Sequence, residues 1–213
     1  MAPRFRLHGI HLSGPTYKVA LGLSLCGEAF DYEHVPLREG AHKTPAFLAL
    51  NRFGQVPALE DLSNGRRLAQ AAAILEYLAD VTGRFGGASL DERLRVREWM
   101  YWDYDRLAVP IYRCRGVALG FRKADEAVVA GWRAEGEAAL AVLDAHLAGR
   151  DFVVGEAPSI ADIDLYGVVH YAPAGGFSLV ERPQIARWMA RIEALPGYGT
   201  PEALLPTQSR ATA

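Results

Sequence analysis

The order of predicted secondary structure changes near residue 85, and this change limits the possible folds more than any other feature of the sequence. Before it, strand-like runs alternate with helical runs in the order βαβ and then ββα, and from Leu90 onward the periodic segments are helical. Two strands joined through a helix run parallel, whereas two strands joined by a tight turn run antiparallel. The first part is therefore predicted to form a mixed four-stranded sheet, and the second part to be all-α.

Periodicity and turn residues predict the individual elements. In the first part we expect strands over 5–8, 30–35, 56–61 and 67–68, and helices over 17–25, 44–50 and 69–82. In the second part we expect helices over 91–120, 124–148, 159–171 and 182–194, the first of them kinked at Pro110. A glycine-rich linker separates a thioredoxin-like α/β domain over 1–82 from an all-helical domain over 89–213, which we expect to be loosely held from Gly199 onward.

Composition and charge exclude several classes of protein. The 213 residues carry a formal net charge of -2, which favours neither nucleic acid nor an anionic membrane as a partner. No apolar run approaches the roughly 18 residues that span a bilayer, and the first residues lack the apolar stretch of a secretory signal. The two cysteines share no motif, which favours a reducing, cytoplasmic location. The histidines show no metal-ligand spacing, so no metal is expected.

Three segments carry the most specific motifs. Gly-Gln-Val-Pro at 54–57 opens a predicted strand, Gln70 and Ala71 open a predicted helix, and Ser-Ile-Ala-Asp at 159–162 is a capping box in the second part. Proline makes a cis peptide bond accessible, and a cis bond before Pro57 would turn the Val56 backbone outward, where an extended peptide can pair with it. In this order the segments resemble those of the cytosolic glutathione S-transferase superfamily, and the resemblance covers nearly the whole chain.

The resemblance implies that glutathione is a co-substrate. It implies a cis bond between Val56 and Pro57, with the Val56 backbone hydrogen-bonded to the cysteinyl part of glutathione and with Gln55 beside it. The family usually has proline where this chain has Arg52, a departure in a loop with little mechanistic cost.

Gln70 and Ala71 occupy the place where the family binds the γ-glutamyl end of glutathione. A helix N-terminus offers unpaired N–H groups and a partial positive charge, which suit a carboxylate. The family usually has an acidic residue or glutamine followed by serine here, so Gln70 matches and Ala71 lacks the hydroxyl. In the loop after the second strand, His42 and Lys43 are candidates for binding the glycine carboxylate of glutathione. The alternative is that they are solvated loop residues with no role in binding.

Ser13 is the candidate catalytic residue, because it lies between the first strand and the first helix. In the family's serine-type classes, a hydroxyl at this place donates to the glutathione sulfur, which lowers the pKa of the thiol. Ser13 can also cap the helix, because a cap uses the oxygen as acceptor and leaves the proton free. Thr16 is a rival donor. Cys26 lies late in the helix without a CxxC partner, so we predict that it is inert.

The pocket for a second substrate is expected at Leu12 and along the first helix of the second part. By spacing, one face of that helix carries Tyr101, Asp105, Ala108 and Tyr112. In the family, this helix lines the electrophile pocket.

The resemblance implies attack of glutathione thiolate on a small apolar electrophile, as in detoxification, by a two-fold homodimer. Two alternatives stay open: another glutathione-dependent enzyme (an isomerase, peroxidase or dehalogenase), or a non-catalytic binding protein, which the missing serine favours.

Overall fold

The structure, a computed structural model, describes residues 3–211, and its contacts divide them into two compact units. The first unit comprises the described residues up to Arg84 together with those from Leu195 onward, and the second comprises Phe85–Ala194. We predicted that the segment after residue 194 belongs to the helical domain, and this part of the domain prediction was wrong. Hydrogen bonds between residues far apart in the sequence tie that segment to the first unit instead.

The first unit is built around a mixed four-stranded sheet. Along the chain it contains β1 (Phe5–Gly9), α1 (Gly14–Cys26), β2 (Phe30–His34), α2 (Pro45–Leu50), β3 (Ala58–Asp61), β4 (Arg66–Ala69) and α3 (Ala71–Thr82). The strand order is β2-β1-β3-β4, with β2 parallel to β1 and with β3 antiparallel to both of its neighbours. This arrangement confirms the predicted βαβ-ββα order and the α/β class of this part of the chain.

Local signals in the sequence set the helix ends of the first unit. The Ser13 hydroxyl accepts a backbone hydrogen bond at the start of α1, and the Thr44 hydroxyl does the same at the start of α2. Gly27 and Gly83 end α1 and α3 in the left-handed conformation, with φ of 76° and 68°. Glycine adopts this conformation at far lower cost than other residues, so both helix ends follow from the sequence.

A buried carboxylate, Asp61, holds the end of β3 to other segments of the first unit. It accepts hydrogen bonds from the Arg4 guanidinium (2.6 Å), the Tyr77 hydroxyl (2.7 Å) and the Ser63 backbone N–H (3.0 Å). Burial alone raises the pKa of a carboxyl group, but these hydrogen bonds outweigh it and hold the pKa of Asp61 well below its usual range. The ionised form of Asp61 therefore stabilises the folded unit.

We predict that the first unit loses stability as the pH falls below about 4. The pKa of Asp61 in the folded protein lies below the ordinary value of 3.8. The stability that its ionised form provides is therefore fully present above pH 3.8 and is lost as the folded protein takes up the proton at lower pH. Amide hydrogen exchange in β3 and β4 measures this stability. Asp61→Asn should destabilise the unit at neutral pH, and the difference from the wild type should shrink on acidification. A difference that does not depend on pH would contradict the prediction.

The segment after residue 194 covers the outer edge of β2. Tyr32 and Arg210 exchange two backbone hydrogen bonds of 2.8 Å as an antiparallel pair, and the His34 N–H donates to the Ser209 hydroxyl at 2.9 Å. A short helix over Pro201–Leu204 precedes this pairing. The prediction that this end of the chain is loosely held was wrong, because its backbone satisfies groups that an edge strand would otherwise leave unpaired.

The second unit is helical, as predicted. It contains α4 (Leu90–Trp102), α5 (Ala108–Ala118), α6 (Glu126–His146), α7 (Ile160–Val169) and α8 (Pro183–Glu193), with a π-helical segment (Asp103–Leu107) between α4 and α5. In the part of the chain that the structure describes, no helix combines the length and the apolar character needed to cross a membrane.

The π-helical segment replaces the simple kink at Pro110 that we predicted. Proline has no N–H, so residue 110 donates no hydrogen bond to the carbonyl of Arg106. The backbone adjusts before the proline, where the Ala108 N–H donates to the carbonyl of Asp103, five residues back. The helix predicted over 91–120 is therefore interrupted at an earlier place and in a different way.

The start of α7 is fixed by a second buried carboxylate. Ser159 and Asp162 form the predicted capping box, in which the Ser159 N–H donates to Asp162 at 2.8 Å. Asp162 also accepts hydrogen bonds from the Val153 N–H (2.8 Å) and from the indole of Trp188 in α8 (2.9 Å). A single side chain, 1% exposed, thus joins α7, α8 and the loop between α6 and α7.

Candidate functional site

Three segments of the first unit meet at one edge of the sheet. His8 of β1 pairs with Ala58 of β3, and Ala58 pairs with Ala69 of β4, so these residues form a row across the sheet. The loop that leads to α1 begins just after this row, the Val-Pro pair at 56–57 comes directly before it, and Gln70 follows directly after it. The strand register therefore brings together three of the four segments of this unit that carry predicted site residues; the fourth contains His42 and Lys43.

Ser13 lies half-buried at the N-terminus of α1. Its oxygen accepts a hydrogen bond from the Thr16 N–H (3.2 Å), which leaves its own proton for donation to a ligand. An acidic group placed against this hydroxyl would also lie at the positive end of α1. The neighbouring Leu12 is 36% exposed and offers an apolar contact at the same turn.

The rival donor, Thr16, is buried against β1. A Cβ atom at Gly9 would lie 2.1 Å from the Thr16 Cγ2 and 2.7 Å from its Oγ1, so Thr16 occupies the space that a side chain at residue 9 would need. Close packing therefore requires glycine at residue 9. Thr16 is 0% exposed, which makes Ser13 the accessible hydroxyl of the two.

The loop before β3 is held by Asn51, a residue that our sequence analysis did not identify. Its side chain donates to the carbonyls of Gln55 (2.6 Å) and Pro57 (3.4 Å) and accepts from the Phe53 N–H (3.0 Å). These hydrogen bonds fix the loop on both sides of Val56, and the Val56–Pro57 bond is cis, as the resemblance implied. An asparagine between a helix and a strand was an available signal, because its side chain bonds readily to nearby backbone.

Lys43 is tied to the same loop from a 3-10 turn (Ala41–Lys43). Its Nζ donates to the Gly54 carbonyl at 2.9 Å and keeps further N–H donors. Gly54 has a φ of 56°, and a Cβ atom there would lie 3.0 Å from both the His42 carbonyl and the Lys43 Nζ, so this position requires glycine. The ammonium group of Lys43 thus brings a positive charge to the loop, with the half-buried His42 beside it in the chain.

Gln70 has an unusual backbone conformation at the start of α3. Its φ of 70° lies in the left-handed region, which residues other than glycine seldom adopt. Strain of this kind is concentrated at ligand sites, where the surrounding structure maintains it. The N–H groups of the first turn of α3 are the donors that a helix N-terminus offers to an anion. Ala71, the first residue of α3, is 1% exposed.

The residues predicted to line a second pocket, apart from Leu12, lie in the second unit and do not share one face. Tyr101 of α4 is 66% exposed, whereas Ala108 of α5 is 7% exposed. Asp105 forms an exposed ion pair with the adjacent arginine (2.7 Å), and the Tyr112 hydroxyl donates to a carbonyl of α7 (2.9 Å). The π-helical segment lies between Tyr101 and Ala108, so the 3.6-residue spacing that grouped them does not apply. The predicted common face was wrong for this reason.

Comparison with known proteins identifies the family. Residues 15–81 match the family model "Glutathione S-transferase, N-terminal domain", and residues 126–191 match "Glutathione S-transferase, C-terminal domain". The chain is 31% identical to Glutathione S-transferase 3 of Zea mays over 216 residues, which cover 97% of this chain and 96% of the relative. The chain belongs to the cytosolic glutathione S-transferase superfamily.

Two further proteins match most of the chain. Maleylacetoacetate isomerase of Rhizobium meliloti (strain 1021) is 34% identical over 184 residues, which cover 81% of this chain and 83% of that protein. The crystal structure of a glutathione S-transferase from Pseudomonas fluorescens Pf-5 has a TM-score of 0.87 at 32% identity and covers 93% of this chain and 98% of that one. The thioredoxin-like first part and the helical second part are therefore those of the glutathione S-transferase fold.

Proposed function

We propose that this protein is an enzyme that joins glutathione to small apolar electrophiles. The observation that supports the proposal is the row of paired residues at one edge of the sheet, because the turn that leads to Ser13, the loop that contains Val56 and the N-terminus of α3 all adjoin that row. The printed names of the relatives support it, since two of the three reported above are glutathione S-transferases.

Each part of glutathione has a chemically matched segment in the proposed complex. The γ-glutamyl carboxylate binds the N-terminus of α3 at Ala71, and the Gln70 side chain accepts from its ammonium group. The Val56 backbone, held by the loop that contains Gln55 and Pro57, pairs with the cysteinyl part as an added strand does. The basic pair at 42–43 binds the glycine carboxylate through the charge of the lysine.

Ser13 supplies the chemical activation in this proposal. A thiol with a pKa of about 8.5 is mostly protonated at neutral pH, and the thiolate is the nucleophile. A hydrogen bond donated by the Ser13 hydroxyl, together with the positive end of α1, favours the ionised form. The thiol proton leaves to water, the sulfur forms a bond to the electrophilic carbon, and the leaving group departs with its electron pair.

A calorimetric titration with glutathione tests the proposed function. We expect saturable binding, with the ultraviolet absorbance of a thiolate at neutral pH. S-methylglutathione should bind without that absorbance, because it has no ionisable thiol. With an activated aryl halide, the enzyme should consume glutathione and release halide. If glutathione produces neither heat nor thiolate absorbance, the proposed function is wrong and only the fold assignment stands.

An isomerase on the same scaffold is the second candidate, because one relative at 34% identity is named as an isomerase. A transferase consumes glutathione, whereas a glutathione-dependent isomerase returns it unchanged. Titrating free thiol before and after complete conversion of a test substrate separates the two activities. A non-catalytic binding protein would bind glutathione and convert neither kind of substrate.

We expect Ala71→Ser to tighten glutathione binding by about 1 kcal/mol or somewhat more, because the new hydroxyl would donate to a charged carboxylate. Ala71 is 1% exposed, so a hydroxyl that found no acceptor there would lower stability instead. Calorimetry on the variant and the wild type measures the change. Ala73→Ser, at an exposed position of the same helix, is the matched control and should leave the affinity unchanged. Equal affinities of the Ala71→Ser variant and the wild type would mean that the carboxylate binds elsewhere or is already satisfied.

A two-fold homodimer is also proposed, from the resemblance and from the frequency of two-fold pairing. Static light scattering at micromolar concentration should give twice the 23.3 kDa of one chain. A monomer mass would refute the dimer and would favour the non-catalytic alternative.

A further inference from the structure

A tight turn over residues 10–13 connects β1 to α1. It closes with a hydrogen bond of 2.9 Å from the Ser13 N–H to the Ile10 carbonyl. His11 and Leu12 occupy its two central positions. Because Ser13 is both the last residue of this turn and the cap of α1, any movement of the turn displaces the Ser13 hydroxyl.

The ring of His11 lies against the ring of His34 at the end of β2. The ring centroids are 5.8 Å apart and the ring planes differ by 22°, which is an offset stack. The Nδ1 atoms of both rings are buried and have no hydrogen-bond partner among the residues that the structure describes. Ring contact, and not a hydrogen bond at Nδ1, therefore joins the turn to β2.

His34 is itself held from two sides. In the parallel pairing of β1 with β2 it lies opposite Gly9, and the next N–H, of Val35, donates to the Gly9 carbonyl at 2.7 Å. On the outer side, the His34 N–H donates to the Ser209 hydroxyl at 2.9 Å. The stack thus connects the 10–13 turn to a strand that is paired on both edges.

We propose that His11 is a positioning residue for Ser13, and that its stack on His34 holds the 10–13 turn fixed against the sheet. His11 has no contact with the sulfur in this role, and only the catalytic consequence rests on the proposed function. Burial and the neighbouring His34 lower the pKa of His11, so the ring is uncharged at neutral pH and stacks without charge repulsion.

Amide hydrogen exchange at Ser13 tests the positioning without any ligand. His11→Ala should speed exchange of the Ser13 N–H about 3- to 10-fold, the range expected for loss of an aromatic pair. His11→Phe keeps a ring and should restore the wild-type rate. His34→Ala should have the same effect as His11→Ala, and the double variant should show no further increase, because both changes remove one contact.

A matched control comes from His8, the histidine of β1. His8 is hydrogen-bonded to Glu60 of β3 at 2.8 Å and lies outside the turn. His8→Ala should therefore leave the Ser13 exchange rate unchanged, although it removes the same side chain from a residue three positions earlier.

The pKa of the bound glutathione thiol is the second readout. His11→Ala should raise the pKa of the bound thiol, as Ser13→Ala does, and His11→Phe should leave this pKa at the wild-type value. A general loss of stability would weaken binding without this shift.

Two results would overturn the proposal: additive effects of the two alanine changes on exchange, or failure of His11→Phe to restore the rate. If the wild type forms no bound thiolate, the proposed function fails, and the exchange rates still decide whether His11 holds the turn.

Discussion

Ser13→Ala should lower the rate of glutathione transfer at neutral pH by about 10- to 100-fold, which corresponds to about 1.4–2.7 kcal/mol of lost thiolate stabilisation. Without the hydroxyl, the pKa of the bound thiol rises and less of it is ionised. The affinity for glutathione should hardly change, because in the proposed complex glutathione is bound mainly by the Val56 backbone and the N-terminus of α3. The loss should shrink at high pH, where the thiolate forms unaided. Thiolate absorbance measured against pH in both proteins tests these expectations.

Ser89→Ala is the matched control for this experiment. Ser89 caps α4 by accepting from the Glu92 N–H at 3.1 Å, so the same change removes a helix cap that contributes about 1 kcal/mol. It should lower stability and leave the thiol titration unchanged. If Ser13→Ala behaves in the same way, Ser13 is only a cap. If Thr16→Ala shifts the titration and Ser13→Ala does not, the role belongs to Thr16 in spite of its burial.

Asp162→Ala should destabilise the second unit by about 3–5 kcal/mol. The change leaves four buried donors without their acceptor: the Val153 N–H, the Ser159 N–H and hydroxyl, and the Trp188 indole. Each unsatisfied buried donor costs about 1–3 kcal/mol, and water that enters the space recovers part of this. The four tryptophans of the chain, at 99, 102, 132 and 188, all lie in the second unit. Urea unfolding followed by tryptophan fluorescence therefore measures the stability of this unit.

Asp151→Ala is the matched control for Asp162→Ala. The Asp151 side chain is 64% exposed and forms an ion pair with Arg191 at 2.7 Å. Exposed ion pairs contribute about 0–1 kcal/mol, so this variant should remain close to the wild type. A loss below about 1 kcal/mol in Asp162→Ala would contradict the view that its carboxylate holds α7, α8 and the preceding loop together.

Signals that act over three or four residues predicted most of the fold. The cap at Thr44, the left-handed Gly27 and Gly83, and the capping box at 159–162 each depend on neighbours that the sequence shows directly. The parallel pairing of β1 with β2 and the antiparallel pairing of β3 with β4 followed from the βαβ and ββα pattern. The site segments at 54–57 and 70–71 were also identified, because their motifs are short and contiguous, and Ser13 was singled out by its place between the first strand and the first helix.

The features that sequence analysis missed depend on long-range packing or on a choice among local partners. Arg210 pairs with Tyr32 across most of the chain, and no periodicity indicates such a pair. The hydroxyls of Ser13 and Thr16 are close in sequence, and the sequence does not show which of them is accessible. The packing of Thr16 against Gly9 shows that Thr16 is the buried one. Asn51 bonds locally, but an asparagine in a loop has several possible backbone partners, so its role was not determined.

The pairing of Arg210 with Tyr32 has a consequence for synthesis of the chain. The two parts of the first unit are synthesised at different times. Residues 85–194 are translated after the sheet and before the segment that covers β2. During that interval the N–H and C=O groups along the outer side of β2 are an open strand edge, which is prone to pair with other chains. A premature stop codon shortly after residue 194 would make this transient exposure permanent, and the truncated protein would be expected to aggregate even though the residues at the sheet edge that form the proposed glutathione site were all present.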